Sequence, residues 1–130
     1  MTFFPQAHPK RRAPRIRLQA MAPADIRAEG GTRIPCKLQT ISVTGGLLRM
    51  PMPLEERTLV ELVILSEAGP ILGVAEMLDS AAAALGFTQS FRFLVLDDGD
   101  YLRLRTVIAS SRDTDDPEFP SGISVRPGRA

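Results

Sequence analysis

The stretch RIPCKLQTI, residues 33–41, decides the fold class. Ile34, Cys36 and Leu38 fall on one side of an extended chain, and Arg33, Lys37 and Gln39 fall on the other. A period of two predicts a half-buried strand. Pro35 has no N–H to give to a ladder, which places part of this strand at an edge or a bulge. Thr44-Gly45-Gly46 then reads as a tight turn, since paired glycines suit any hairpin.

The same period recurs on both sides of this stretch. Runs at Ala24–Glu29, Gly46–Met50, Thr58–Leu65, Ile71–Leu78 and Leu85–Leu96 are bounded by Pro, Gly, Ser or Asp and bring the count to about six strands. Their connections are too short for the crossovers of a parallel sheet. The expected fold is all-β, a small antiparallel six-stranded barrel. In Ser90–Leu96 the alternation puts Phe91, Phe93 and Val95 on the interior side, with the two rings as core. The Ala81–Gly86 segment, AAAALG, is read as a link between strands. A 3.6-residue period appears in DDGDYLRLRTVIASS, where Tyr101, Leu104, Val107 and Ile108 share a face behind Asp97 or Asp98 as cap. One C-terminal helix near 98–110 is therefore expected.

A chain of 130 residues fits one domain, and 44% apolar with 24% charged residues is the composition of a folding globular protein. The reading divides it into a flexible basic arm at 1–13, a barrel domain at 14–111 and a disordered tail at 112–130. Cys36 is the single cysteine, so no intramolecular disulfide can form, and no His/Cys cluster has zinc-ligand spacing. No apolar run approaches the ~20 residues that span a bilayer, and the N-terminus lacks signal-peptide order. These features make the cytoplasm the expected location, without membrane insertion. Net charge is +1, but residues 1–33 carry seven basic against two acidic residues, which leaves −4 for the remainder. That split suits either a solvated basic arm or an anionic partner near the N-terminus.

Two short motifs add to this reading. Arg11-Arg12-Ala13-Pro14-Arg15 contains an RxxxR ahead of the barrel, and Thr40-Ile41-Ser42-Val43-Thr44-Gly45 ends a strand in an SxxG turn. In this order and separation they resemble the PilZ family pattern of RxxxR followed by [D/N]xSxxG. The resemblance runs on through GLLRM, the strand pair 58–65 and 71–78, the FRF strand and the closing helix, covering most of residues 11–110. It implies a bacterial cyclic di-GMP receptor in which Arg11, Arg12 and Arg15 hold the nucleotide with Thr40, Ser42 and Gly45. Thr40 departs from the family's Asp or Asn. Its lone hydroxyl cannot accept the paired donors of a guanine edge, a loss of ~1–3 kcal/mol if one charged or well-oriented bond is missing.

The residues support the chemistry independently of the family. Arginine presents a planar, permanent charge that pairs with phosphate, bonds a guanine edge and stacks on a base. Ser42 and Gly45 suit a nucleotide, and equally a bare β-turn. His8 has no acid or nucleophile near it, and Cys36 alternates with Ile34 and Leu38 as a buried small hydrophobe. Asp97, Asp98 and Asp100 are read as helix-capping rather than metal-binding residues. With no nucleophile–base pair or phosphate-cradling loop, an enzyme is not expected, and neither a cofactor nor a metal is required.

The leading expectation is thus a regulatory module that binds cyclic di-GMP and acts through a protein effector. The alternative is an interaction module of the same fold that has lost nucleotide binding. A small-barrel nucleic-acid binder is the third reading. The chain has no Trp and one Tyr, placed on the helix, so the stacking platform such barrels use is lacking and no DNA or RNA partner is expected.

Overall fold

The alternation of residues 33–41 becomes a strand with the bounds expected of it, Arg33–Ile41. In the computed structural model, which describes residues 2, 3 and 15–115, the elements are β1 (Thr2–Phe3), β2 (Ile16–Arg27), β3 (Arg33–Ile41), β4 (Gly45–Met50), β5 (Leu59–Ser66), β6 (Gly69–Ala82), β7 (Phe87–Asp97) and α1 (Asp98–Asp115). The strands run in the order β7-β4-β3-β2-β5-β6, and β6 pairs back onto β7. Every pairing is antiparallel, so the six long strands close into a barrel and leave few free edges. Pro35 pairs with Asp25 of β2 and lies beyond the β3–β4 ladder, which starts at Lys37, so its missing N–H costs nothing there.

The interior is built from the alternating residues of all six strands. Ile26, Leu38, Ile41, Leu48, Leu62, Ile64, Ile71 and Met77 are buried together around Phe91 and Phe93. The two rings meet edge to face with centroids 5.2 Å apart, the arrangement their quadrupoles favour. α1 adds Leu104 and Ile108 to this core, with Tyr101 and Val107 packed at its margin, as the helical spacing predicts. The Ala81–Gly86 link divides differently: Ala81 and Ala82 finish β6, and Ala83–Gly86 make the turn.

Several expectations are corrected by pairing. β2 starts at Ile16 and ends at Arg27, where Ala24–Glu29 was expected. Basic and proline neighbours hide its first half from pattern reading, and a bulge between Arg17 and Ala22 breaks its alternation. Thr44-Gly45-Gly46 is not the turn. Ser42 and Gly45 exchange backbone hydrogen bonds across Val43 and Thr44, and both glycines already belong to β4. Val95 is not interior, because a bulge skips Leu94 in the β6–β7 register and moves Leu96 into the core. Residues 2 and 3, read as part of the arm, form β1 against the end of β7, opposite Asp97 and Leu96 and past the end of β4. The rest of the arm, with residue 14, and the tail from 116 lie outside the described residues, whereas residues 112–115, expected to begin the disordered tail, continue α1 to Asp115.

Of the acidic cluster, Asp98 and Asp100 lie in the first turn of α1 and Asp97 ends β7. Asp100 is buried, and its carboxylate accepts from the Leu72 N–H at 3.0 Å and from Arg103 at 2.9 Å. Arg103 in turn donates to the Pro70 carbonyl at 2.9 Å, so the first turn of α1 is stapled to the start of β6.

Cys36 is 8% exposed and points into the barrel as its alternation predicts. Burial, reinforced by the negative charge of Asp25, pushes its thiol up from 9.0 to about 12. The raised value stabilises the folded state fully below pH 9, and that contribution falls away as pH rises toward 12. Two outcomes are expected: native protein at pH 8 reacts with a thiol-specific disulfide reagent only as fast as it unfolds, and Cys36→Ser loses ~1–2 kcal/mol in urea unfolding. Rapid native-state labelling would contradict the burial.

Candidate functional site

The β3 strand changes phase just before the second motif. Leu38 pairs with Leu48 but Thr40 pairs with Leu47, so Gln39 is the extra residue of a bulge. Without it, Thr40 would follow Leu38 inward. The bulge instead turns Thr40 to the outer face, half-buried, and sends Ile41 into the core. Opposite Thr40 on β2 stands Arg17, exposed and on the same face. Ile16 pairs with Ile41, and exposed Arg15 immediately precedes the start of β2.

The sequence-derived set is therefore brought together in part. Thr40, Ser42 and Gly45 lie at the corner where β3 turns into β4, and Arg15 comes just before Ile16, the β2 residue paired with Ile41. Arg11 and Arg12 lie outside the described residues. Arg17 belongs at this corner and was missed as a site residue. Its signal was the i, i+2 spacing from Arg15, legible only once β2 is known to start at Ile16.

Ser42 and Gly45 have structural work here. Ser42 is buried, and its Oγ accepts from the Thr44 N–H at 3.2 Å and the Gly45 N–H at 3.3 Å. The same oxygen lies 3.0 Å from Thr44 Oγ1 and 3.3 Å from the Gly45 carbonyl. These bonds use up a hydroxyl's capacity and lock the turn. Gly45 is not in the left-handed region. A Cβ there would stand 2.8 Å from the Arg92 Cα and closer still to the Phe91 carbonyl oxygen, so glycine is what lets β4 lie against β7. The SxxG motif thus closes the barrel, and the outward-facing polar groups of the corner are Arg15, Arg17 and Thr40.

Two further polar residues were not picked out from the sequence. Gln89 is fully buried: its Oε1 accepts from the Leu54 N–H at 2.9 Å, and its Nε2 donates to the carbonyls of Leu54 at 2.7 Å and Leu78 at 3.0 Å. Glu76 and Arg92 form a cross-strand ion pair at 2.6 Å on the outer face beside Gly45. Among the described residues no group of three His, Cys, Asp or Glu side chains could hold a metal ion, and no helix is long and apolar enough to cross a membrane. A groove of about 510 Å³ opens elsewhere, between Leu18–Pro23, the β5–β6 turn and the end of α1, and includes none of the corner residues.

A closed six-stranded antiparallel barrel with a C-terminal helix, its SxxG turn leading from β3 into β4, defines a small β-barrel domain. The chain belongs to the PilZ domain family, whose model matches residues 9–110. PilZ domains are regulatory receptor modules. Comparison with curated protein sequences finds no match. Among solved structures, the chain is similar to the PilZ domain with c-di-GMP of YcgR from Escherichia coli, with a TM-score of 0.68 and 15% identity over 87% of this chain and 99% of that one. It is also similar to the Bacillus subtilis inhibitor of motility MotI/DgrA, with a TM-score of 0.69 and 15% identity over 82% of this chain and 54% of the other. The K. pneumonia MrkH–c-di-GMP complex gives a TM-score of 0.69 and 21% identity over 83% and 55%. The chain thus spans nearly all of the isolated YcgR domain and about half of MotI and MrkH. MrkH is described as a c-di-GMP-dependent transcription regulatory factor, so the expected exclusion of a nucleic-acid partner has no support from these relatives.

Proposed function

We propose that this chain is a non-enzymatic receptor for cyclic di-GMP that works in the cytoplasm and passes the signal to a protein effector. One observation carries the reading: the β2–β3 register sets Arg17 directly across from Thr40, two residues after Arg15 in the first motif. Two guanidinium groups on one outer corner suit a phosphodiester and a purine face. Arg11 and Arg12, which complete the first motif with Arg15, join them as the arm contribution, while Ser42 and Gly45 shape the turn. Neither Arg15 nor Arg17 has an ion-pair partner among the described residues, so both are available to an anion.

The second reading, an interaction module without a nucleotide, draws on Thr40 and on the Ser42 hydroxyl already committed to its own turn. Calorimetric titration with cyclic di-GMP separates the two. Saturable binding is expected, weakened about 10- to 100-fold by Arg15→Ala through loss of a charge-assisted bond. Thr40→Asp is expected to tighten it by restoring an acceptor pair for a guanine edge, and added salt to loosen it. If neither wild type nor Thr40→Asp gives a saturable signal at sub-millimolar nucleotide, the receptor reading fails and the interaction module replaces it.

A further inference from the structure

The outer face of the barrel is divided by charge. Over β3, β4 and the part of β7 that pairs with β4, the outward residues include Lys37, Thr40, Leu47, Arg49, Thr88, Ser90 and Arg92, with no carboxylate among them, and Asp97 stands at the far end of β7. Lys37 stands directly opposite Arg49, and Arg49 directly opposite Thr88. Directly paired residues share a face, so two cations and a hydroxyl form one row across three strands, each ~5 Å from the next. Two like charges in direct opposition destabilise a sheet unless something lies between them.

Nothing described neutralises this pair. Of the acids on the flanking strands β2 and β6, Asp25 is engaged with Arg33 and Glu76 with Arg92, both at 2.6 Å. Arg49 gives one bond, from Nη2 to the Leu85 carbonyl at 3.2 Å, and its Nε has no partner among the described residues. The Leu85 contact holds the guanidinium against the β6–β7 turn and fixes its orientation before any ligand arrives. A preset guanidinium, an ammonium that can swing and a hydroxyl donor match the several oxygens of one phosphate group. This row lies two residues along β4 from Leu47, the partner of Thr40, which is ~7 Å on the same face.

We propose that Lys37, Arg49 and Thr88 form a phosphate-binding row that extends the Arg15–Thr40 corner and holds a phosphate group of the nucleotide bound there. The inference rests on the receptor reading and adds residues outside both motifs. It also accounts for a corner without an acidic side chain, because affinity that Thr40 does not supply is gained from a second anion contact.

The test is titration of cyclic di-GMP into wild type, Lys37→Gln, Arg49→Lys and Arg27→Gln, the last removing one exposed charge from the far end of β2. Lys37→Gln is expected to weaken binding about tenfold or more, Arg49→Lys to weaken it through loss of the planar fork, and Arg27→Gln to stay within about twofold. Lys37 is exposed, so its variant folds even if an Arg49 variant does not. Equal affinity of wild type, Lys37→Gln and Arg49→Lys would overturn the row and leave the receptor reading standing. If wild type binds no cyclic di-GMP, the receptor reading is what fails, and inorganic pyrophosphate then decides the row. Saturable amide shifts at residues 37, 49 and 88 that vanish in Lys37→Gln would support a site for free phosphates, and unmoved resonances would overturn it.

Discussion

Gly45→Ala is expected to lower the unfolding free energy by ~3 kcal/mol or more, the upper range for forcing an atom into a packed interior. The added Cβ has no flexible side chain to push aside. It meets the Arg92 Cα at 2.8 Å and the Phe91 carbonyl carbon at 3.0 Å, with the carbonyl oxygen nearer still. Relief requires β4 to move away from β7, and that ladder runs without a break from Gly45–Arg92 to Met50–Phe87. Urea unfolding with an unchanged m-value and a lowered midpoint would report the loss. A variant of normal stability that had lost only nucleotide binding would return Gly45 to the ligand-contact role first read for it.

Gln89→Leu should cost a similar amount for the opposite reason, too few partners rather than too little space. The leucine fits the volume but leaves the Leu54 N–H and the carbonyls of Leu54 and Leu78 without the bonds that Gln89 supplies at 2.7 to 3.0 Å. Backbone groups left unpaired cost about 1–3 kcal/mol each, these part-buried ones fall toward the low end and coupled losses add incompletely, so ~3 kcal/mol is expected in total. Amide hydrogen exchange gives the local readout. Leu54 should exchange far faster in the variant, since Gln89 ties residue 54 to β7 from a distance of 35 residues. Unchanged protection there would show that the loop is held by other contacts.

The Gly45 substitution and the Ser42 hydrogen bonds frame what the second motif does. Its glycine serves strand packing, and its serine serves the turn, so under the proposed receptor function the recognition chemistry would pass to side chains that face outward. Arg17 and Thr40 are such a pair, and the Lys37–Arg49 row continues the same surface.

The class of fold was legible because its cause is local. Polar and apolar residues alternate at the pleat of β3 and β5, and a helical period in Tyr101–Ile108 follows the last strand, so the core residues Leu38, Phe91, Phe93 and Leu104 could be named from one-dimensional spacing. The order of RxxxR and SxxG carried the family resemblance in the same way. What could not be read this way depends on partners distant in the chain. The bulges at Gln39 and Leu94 reverse which residues face inward, and each exists only because a neighbouring strand runs one residue short opposite it. Gly45 looked like a turn glycine because its true constraint, the backbone of β7, lies some 46 residues further along. Arg17, Lys37 and Arg49 are ordinary basic residues in the sequence. They become one face through hydrogen-bond register, which sets strands side by side irrespective of their distance along the chain.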